Sequence, residues 1–210
     1  MRVQVVDHPL VAVALTALRD ETTTRPAFRA ALRTLSRNLV YEACHGLVTR
    51  PIEIVTPMGP TVGTELGDDT ELPLLVPILR AGIGMLDAAL SVLPESRTGF
   101  IGLKRDEETL APDLYLDTVP ADLGGQPVMV LDPMLATAGS AIHACRSLRE
   151  SNAGTITVVC VLSAPEGIEA LRASGTADAH VTAAVDSHLN EIGYIVPGLG
   201  DAGDRQFGVD

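Results

Sequence analysis

The chain has 210 residues, 46% hydrophobic and 20% charged, with a formal net charge of −12. That length suits one good-sized domain with a small arm, and the apolar fraction supplies a sizeable core and opposes disorder. The acidic balance opposes broad binding to a nucleic-acid backbone, which needs clustered Lys and Arg, though local Arg residues can still take a small anion.

No apolar run approaches a membrane span, and Met1-Arg2-Val3-Gln4 begins no signal peptide. Cys44, Cys145 and Cys160 are odd in number, far apart and without metal-ligand spacing. They are expected as reduced, mostly buried thiols of a cytoplasmic protein.

Asp7-His8-Pro9 marks a helix start, with Asp7 as the cap and Pro9 in the first turn. Leu10, Val13, Ala14, Ala17 and Leu18 then recur at helical spacing as far as Arg19. A Thr22-Thr23-Thr24 break precedes a second helix over about 26–46, with Leu32, Leu35, Leu39 and Ala43 on one face. Two helices ahead of the first strand suit the cover of a sheet face or an interface, with His8 and His45 as cap or surface residues. From 51 to 66, Ile52, Ile54, Val62 and Thr64 flank Pro57-Met58-Gly59-Pro60, the pattern of a projecting hairpin arm that would join a subunit interface.

A buried strand over 72–78 leads through Leu79-Arg80-Ala81-Gly82 to a helix over 85–92. A cation where a buried strand ends should find an anion: a ligand, or a structural Asp or Glu. A short strand over 99–103 runs into a charged stretch, 104–120, that shows no clear period. It reads as a flexible lid with Lys104 and Arg105 at its base, or as a solvated hairpin tip.

The chain is organised around Val128-Met129-Val130-Leu131-Asp132-Pro133-Met134-Leu135-Ala136-Thr137-Ala138-Gly139-Ser140. Four apolar residues without alternation predict a strand buried on both faces of a parallel sheet, closed by an acid. The small-residue turn opens a helical run from Ala141, and a helix N-terminus offers free N–H groups and a positive dipole end to a phosphate. Many α/β joints of this kind hold no ligand; with Asp132 beside the turn, a sugar phosphate is the ligand that would use both. There is no G-x-x-x-x-G-K-[ST], so this is no P-loop.

The helix over 141–149 stops near Asn152-Ala153-Gly154, a strand covers 156–162, Pro165 opens another helix, and a strand covers 179–185. The alternation predicts an α/β fold with a mainly parallel central sheet flanked by helices. Gly198, Gly200 and Gly203 satisfy GxGxxG, but only seven residues follow Gly203, too few for the helix, strand and ribose-binding acid of a dinucleotide site. This glycine-dense stretch reads as backbone recognition of a planar base or as a flexible terminus.

Assembled, these features resemble the uracil phosphoribosyltransferases, of the type I phosphoribosyltransferase fold, nearly end to end. His8-Pro9-Leu10, Tyr41-Glu42-Ala43, Pro77-Ile78-Leu79-Arg80-Ala81-Gly82, Arg105 with Glu107-Glu108-Thr109, the Asp132 stretch, Ala164-Pro165-Glu166-Gly167 and 193–205 match in order. Pro197-Gly198-Leu199-Gly200-Asp201-Ala202-Gly203-Asp204 is specific to uracil as the base. The wider superfamily has two adjacent acids in its sugar-phosphate motif; here the second is Pro133, as the uracil enzymes typically have. The commoner family spelling has Gly where this chain has Ala138, and Ala costs little there unless the residue needs a positive φ.

The resemblance implies a single domain over 1–210, with an N-terminal helical segment, a β-arm over about 51–66, a lid over about 104–120 and a uracil-binding hood over about 186–210. It implies transfer of the phosphoribosyl group from 5-phosphoribosyl 1-diphosphate (PRPP) to uracil, giving UMP and diphosphate. Mg²⁺ is expected mainly on the substrate's oxygens and water, with no protein metal site. Ala136, Thr137, Ala138, Gly139 and Ser140 would hold the 5-phosphate, with Pro133, Met134 and Leu135 in the same PRPP motif. Asp132 would face the ribose hydroxyls, and Arg80 and Arg105 the diphosphate. Ile195, Gly200 and Ala202 would hold uracil through backbone groups, with Asp201 near both substrates. Arg105, Asp132 and Asp201 would carry the catalytic roles.

Some members of the family are activated by GTP, and no motif here decides that point. A homodimer or larger homo-oligomer is expected from the arm and the helical N-terminus. The rival from another class is a pyrimidine-sensing regulatory RNA-binding protein on the same fold, which the acidic balance disfavours. Another base, a purine or orotate, is disfavoured by the tail.

Overall fold

The computed structural model describes residues 1–67, 71–105 and 112–208. Its centre is an eight-stranded sheet built from β1 (Arg2–Val5), β4 (Leu74–Leu79), β5 (Ile101–Arg105), β6 (Pro112–Asp117), β7 (Val128–Leu131), β8 (Met134–Leu135), β9 (Ile156–Ser163) and β10 (Ala179–Val185). The order is β1-β10-β9-β7-β4-β5-β6, with β8 paired to β9. Every pairing is parallel except β5 with β6. β7 is buried along its whole length, which its unbroken apolar sequence dictates once helices cover both faces.

Alternation along the strands divides the core in two. Met129, Leu131, Leu75, Val159 and Val181 pack with Leu18, Phe28, Leu32, Leu35 and Met85 from α1 (Pro9–Arg19), α2 (Arg25–Ala43) and α3 (Ile83–Val92). Val128, Val130, Val76, Val158 and Cys160 face the other way, onto Cys145 and Leu148 of α4 (Gly139–Glu150) and Leu171 of α5 (Pro165–Ser174).

The N-terminal segment departs from expectation in three ways. β1 precedes the helices and pairs with β10 at the sheet edge; four half-exposed residues carry too little pattern to announce a strand. The cap of α1 is His8, whose Nδ1 accepts a hydrogen bond from the Leu10 N–H at 3.1 Å, rather than Asp7. The buried face of α1 is Val11, Ala14, Leu15 and Leu18, while Leu10 and Val13 are 64% and 68% exposed. So apolar a helix offers more than one stripe, and only packing on α2 selects among them.

The arm is a separate antiparallel hairpin of β2 (Thr49–Thr56) and β3 (Gly59–Leu66), turning at Pro57-Met58. Val55 is 82% and Met58 96% exposed. The described part of the stretch over 104–120 is an edge hairpin: β6 pairs with β5, and exposed Lys104 meets Asp113 at 3.3 Å. Residues 106–111, the middle of the expected lid with Glu107-Glu108-Thr109, lie outside the described residues. The tail also holds more structure than a glycine-dense loop promised. β11 (His188–Leu189) pairs with β12 (Ile195–Val196), and α6 spans Ala202–Phe207. Among the described residues no helix is long and apolar enough to cross a membrane.

Candidate active site

Parallel strands point their carboxyl ends to one side, where open α/β sheets take ligands. The loops after β4 and β7 emerge there. The β4–α3 loop sits hard against the β7 terminus: a Cβ on Gly82 would overlap the carbonyl oxygens of Leu131 and Ile78, so only glycine fits. Asp132 begins the loop after β7, and its Oδ1 accepts a long hydrogen bond from the Met134 N–H at 3.4 Å. Burial pushes the Asp132 carboxyl up to about 7; the Met134 N–H pulls it down and the charge of Asp201 pushes it further up.

β8 and the turn then deliver the chain to α4. Ala138 stands at its N-cap in the left-handed region, φ 64° and ψ 6°. The condition under which Ala is costly at this position is therefore met. The first-turn amides of α4 have no carbonyl a turn earlier to bond, so they are free to face an anion.

A cavity of about 250 Å³ gathers Asp132, Met134, Leu135, Ala136, Thr137, Ala138, Gly139 and Ser140 with Asp201 and Ala202. Residues on either side of 60 intervening positions thus share one wall. Ala81, Ala141 and Gly203 line it too; Ala81 and Gly203 stand inside the motifs and Ala141 directly follows one, but none of the three is among the predicted site residues. Two larger hollows, about 470 and 930 Å³, lie at the opposite strand ends and against α1 and α2, and neither is lined by a predicted site residue.

Four predicted site residues stand off the cavity lining. Pro133 is buried, and its carbonyl accepts from the Val161 and Leu162 N–H groups at 3.0 and 3.1 Å, so it anchors the loop to β9. Ile195 is 5% exposed and packs into the core at β12, and Gly200 is exposed beside the cavity wall. Arg80 is exposed in the loop next to Ala81, and its guanidinium has no ion pair or hydrogen bond among the described residues. The structural ion pair that could have explained it is thus not seen there. Arg105 is placed as the last residue of β5.

Asp201 is exposed and caps α6, its Oδ1 accepting from the Gly203 and Asp204 N–H groups at 2.7 and 2.9 Å. The buried Gln206 side chain donates to the Ala81 carbonyl at 3.1 Å and to the Ala202 carbonyl at 2.8 Å, tying α6 to the loop that carries Arg80. Gln206 carried no sequence signal.

Among the described residues no three His, Cys, Asp or Glu side chains group as a metal site. What the arrangement offers is two carboxylates and a helix N-terminus around one cavity, with a guanidinium in the adjoining loop that has no partner among the described residues. That donor set suits a phosphorylated sugar.

Comparison with known proteins agrees. The family model described as uracil phosphoribosyltransferase matches residues 5–209. A uracil phosphoribosyltransferase of Corynebacterium efficiens is 51% identical over 208 residues, 99% of this chain and 97% of its own length. One of Corynebacterium diphtheriae is 50% identical over the same shares. A solved protein of Aquifex aeolicus superposes with a TM-score of 0.88 at 37% identity, covering 99% of both chains. Cavity, motif order and relatives converge, and the chain belongs to the uracil phosphoribosyltransferase family.

Proposed function

We propose that this protein is a pentosyltransferase that moves the 5-phosphoribosyl group of PRPP to N1 of uracil, giving UMP and diphosphate. The single observation that carries the reading is the cavity shared by Asp132, the turn before α4 and the Asp201–Ala202 corner of the hood. It is the arrangement a sugar phosphate and a base need in order to meet.

In this reading the 5-phosphate sits on the α4 N-terminus, where backbone N–H groups hold it at no reorganisation cost. Asp132 accepts hydrogen bonds from the ribose hydroxyls. As the C1′–diphosphate bond breaks, positive charge grows on the sugar and negative charge on the leaving group. The carboxylates of Asp132 and Asp201 face the first, and the guanidinium of Arg80, with Arg105, neutralises the second. Ile195, Gly200 and Ala202 present backbone groups to the uracil carbonyls and N–H. A lid from the stretch over 104–120 keeps out water, which competes with uracil for the sugar.

Magnesium fits this donor set. Asp132 and Asp201 offer hard oxygens at one cavity, too few for a closed cage, which leaves most positions to phosphate oxygens and water. When bound, the ion supplies Lewis-acid neutralisation of the diphosphate.

The projecting arm supports a homo-oligomer, since a lone two-stranded hairpin is marginal in water. Two fully buried free thiols, Cys145 and Cys160, suit a reducing, cytoplasmic setting. The RNA-binding alternative finds no support in the family match. The purified protein, given PRPP, uracil and Mg²⁺, should form UMP and diphosphate in equal amounts. Tight binding of a structured RNA at physiological salt without turnover would favour the alternative.

A further inference from the structure

Beyond the residues that line the cavity, we propose that Arg19 and Asp186 are positioning residues for the base: their ion pair grips both polar groups of Gly198 and so sets the hood over the cavity. The inference rests on the reading of the hood as the uracil site.

The hood has little order of its own, with two-residue strands and a six-residue helix, so its geometry must be imposed from outside. Asp186 directly follows β10, and its N–H bonds the Ser163 carbonyl at 2.9 Å, which fixes it to the sheet. Arg19 is the last residue of α1. Its Nη1 and Nη2 donate to the two Asp186 oxygens at 2.8 and 2.5 Å, a bidentate pair with planar specificity. The Asp186 side chain is only 5% exposed, so water competes poorly for it.

What this pair does with its remaining bonds identifies its role. Arg19 Nη1 also donates to the Gly198 carbonyl at 2.9 Å, and Asp186 Oδ2 also accepts from the Gly198 N–H at 2.8 Å. A pair serving the core alone would spend neither bond on the hood. Gly198 is itself constrained, at φ +68°, where a Cβ would overlap the Ile195 carbonyl oxygen. Buried Leu199 follows, and then the Gly200-Asp201-Ala202 corner at the cavity.

A second arginine works from the same anchor. Arg205 donates to the Leu18 carbonyl, to the Leu199 carbonyl at 2.8 Å and to the Asp20 carbonyl at 2.6 Å, and lies 4.5 Å from the centre of the Phe28 ring. Carbonyls at a helix C-terminus lack intrahelical partners and favour a cation, so the end of α1 is a natural post for the hood.

The test is steady-state kinetics of the full-length protein for Asp186→Asn, Arg19→Gln and Arg19→Lys, with Ala202→Val as a change in the cavity wall. Melting temperatures establish that each variant is folded. Asp186→Asn and Arg19→Gln should raise the KM for uracil tenfold or more and leave the KM for PRPP within about twofold. Arg19→Lys, which keeps the charge but cannot make both contacts, should recover part of the loss. If the two stronger variants do not fold, Arg19→Lys decides by the same split. Equal rises in both KM values, or an unchanged uracil KM, in a folded variant would overturn the proposal. Ala202→Val separates the layers: if it leaves uracil KM unchanged, the hood is not the base site. If it raises uracil KM while folded Asp186→Asn does not, the clasp alone is wrong.

Discussion

Asp132 and Asp201 reach one cavity from distant parts of the chain, and the charge of Asp201 adds to the burial that lifts the Asp132 carboxyl to about 7. A carboxyl so placed is costly to ionise in the free protein, so its charged form works against stability.

The first prediction concerns pH. The folded protein keeps a proton on Asp132 that the unfolded chain releases near the ordinary value of 3.8, so stability falls as pH rises from about 4 to about 7. Above that window the full cost is present, up to about 4 kcal/mol at roughly 1.4 kcal/mol per pKa unit. Asp132→Asn should therefore melt higher than the parent at pH 8 and alike at pH 4, while turnover falls by about 100-fold. Melting curves across pH 4–8 beside initial rates check both; an equal shift at every pH would refute the assignment.

Asp201 carries a cap as well as a charge. Asp201→Ala should cost about 1 kcal/mol through the lost α6 cap, and Asp201→Asn should keep most of that stability because Asn caps equally well. Both should lose turnover at least tenfold. If Asn restores the rate along with the cap, Asp201 is structural only.

Ala138 occupies a conformation that favours glycine. Ala138→Gly relieves roughly 1–2 kcal/mol of left-handed strain. It also loses about 0.5–1 kcal/mol to chain entropy and about 0.8 kcal/mol from a buried methyl. The melting temperature should thus stay within a few degrees. Ala138→Val adds a branched side chain in the same strained, buried position and should cost about 2 kcal/mol or more, with a raised KM for PRPP.

Arg80 is exposed and unpaired among the described residues. Arg80→Ala should leave the melting temperature unchanged and raise the KM for PRPP about tenfold or more, as removal of a charge-assisted contact would. A drop in stability with unchanged kinetics would assign it to the fold instead.

What could be foreseen follows from range. Val128–Leu131 and the turn to α4 are local patterns, and they stand where the residues put them. β1, β8, β11, β12 and α6 escaped because two to six residues hold too few periods to read. The buried face of α1 is not legible because nearly every residue of the helix is apolar, so neighbours rather than sequence choose what is buried. The left-handed backbone of Ala138 has no side-chain signature. Arg19 and Asp186 lie 167 positions apart, and nothing short of the folded chain joins them.

The most direct test of the central claim compares initial rates with PRPP and Mg²⁺ on uracil, cytosine, orotate and hypoxanthine. The account predicts UMP from uracil and little product from the others, because the amino group of cytosine, the carboxylate of orotate and the second ring of hypoxanthine would each leave the hood's backbone groups mispaired or crowded. Comparable rates with a second base, or no product from uracil, would contradict it.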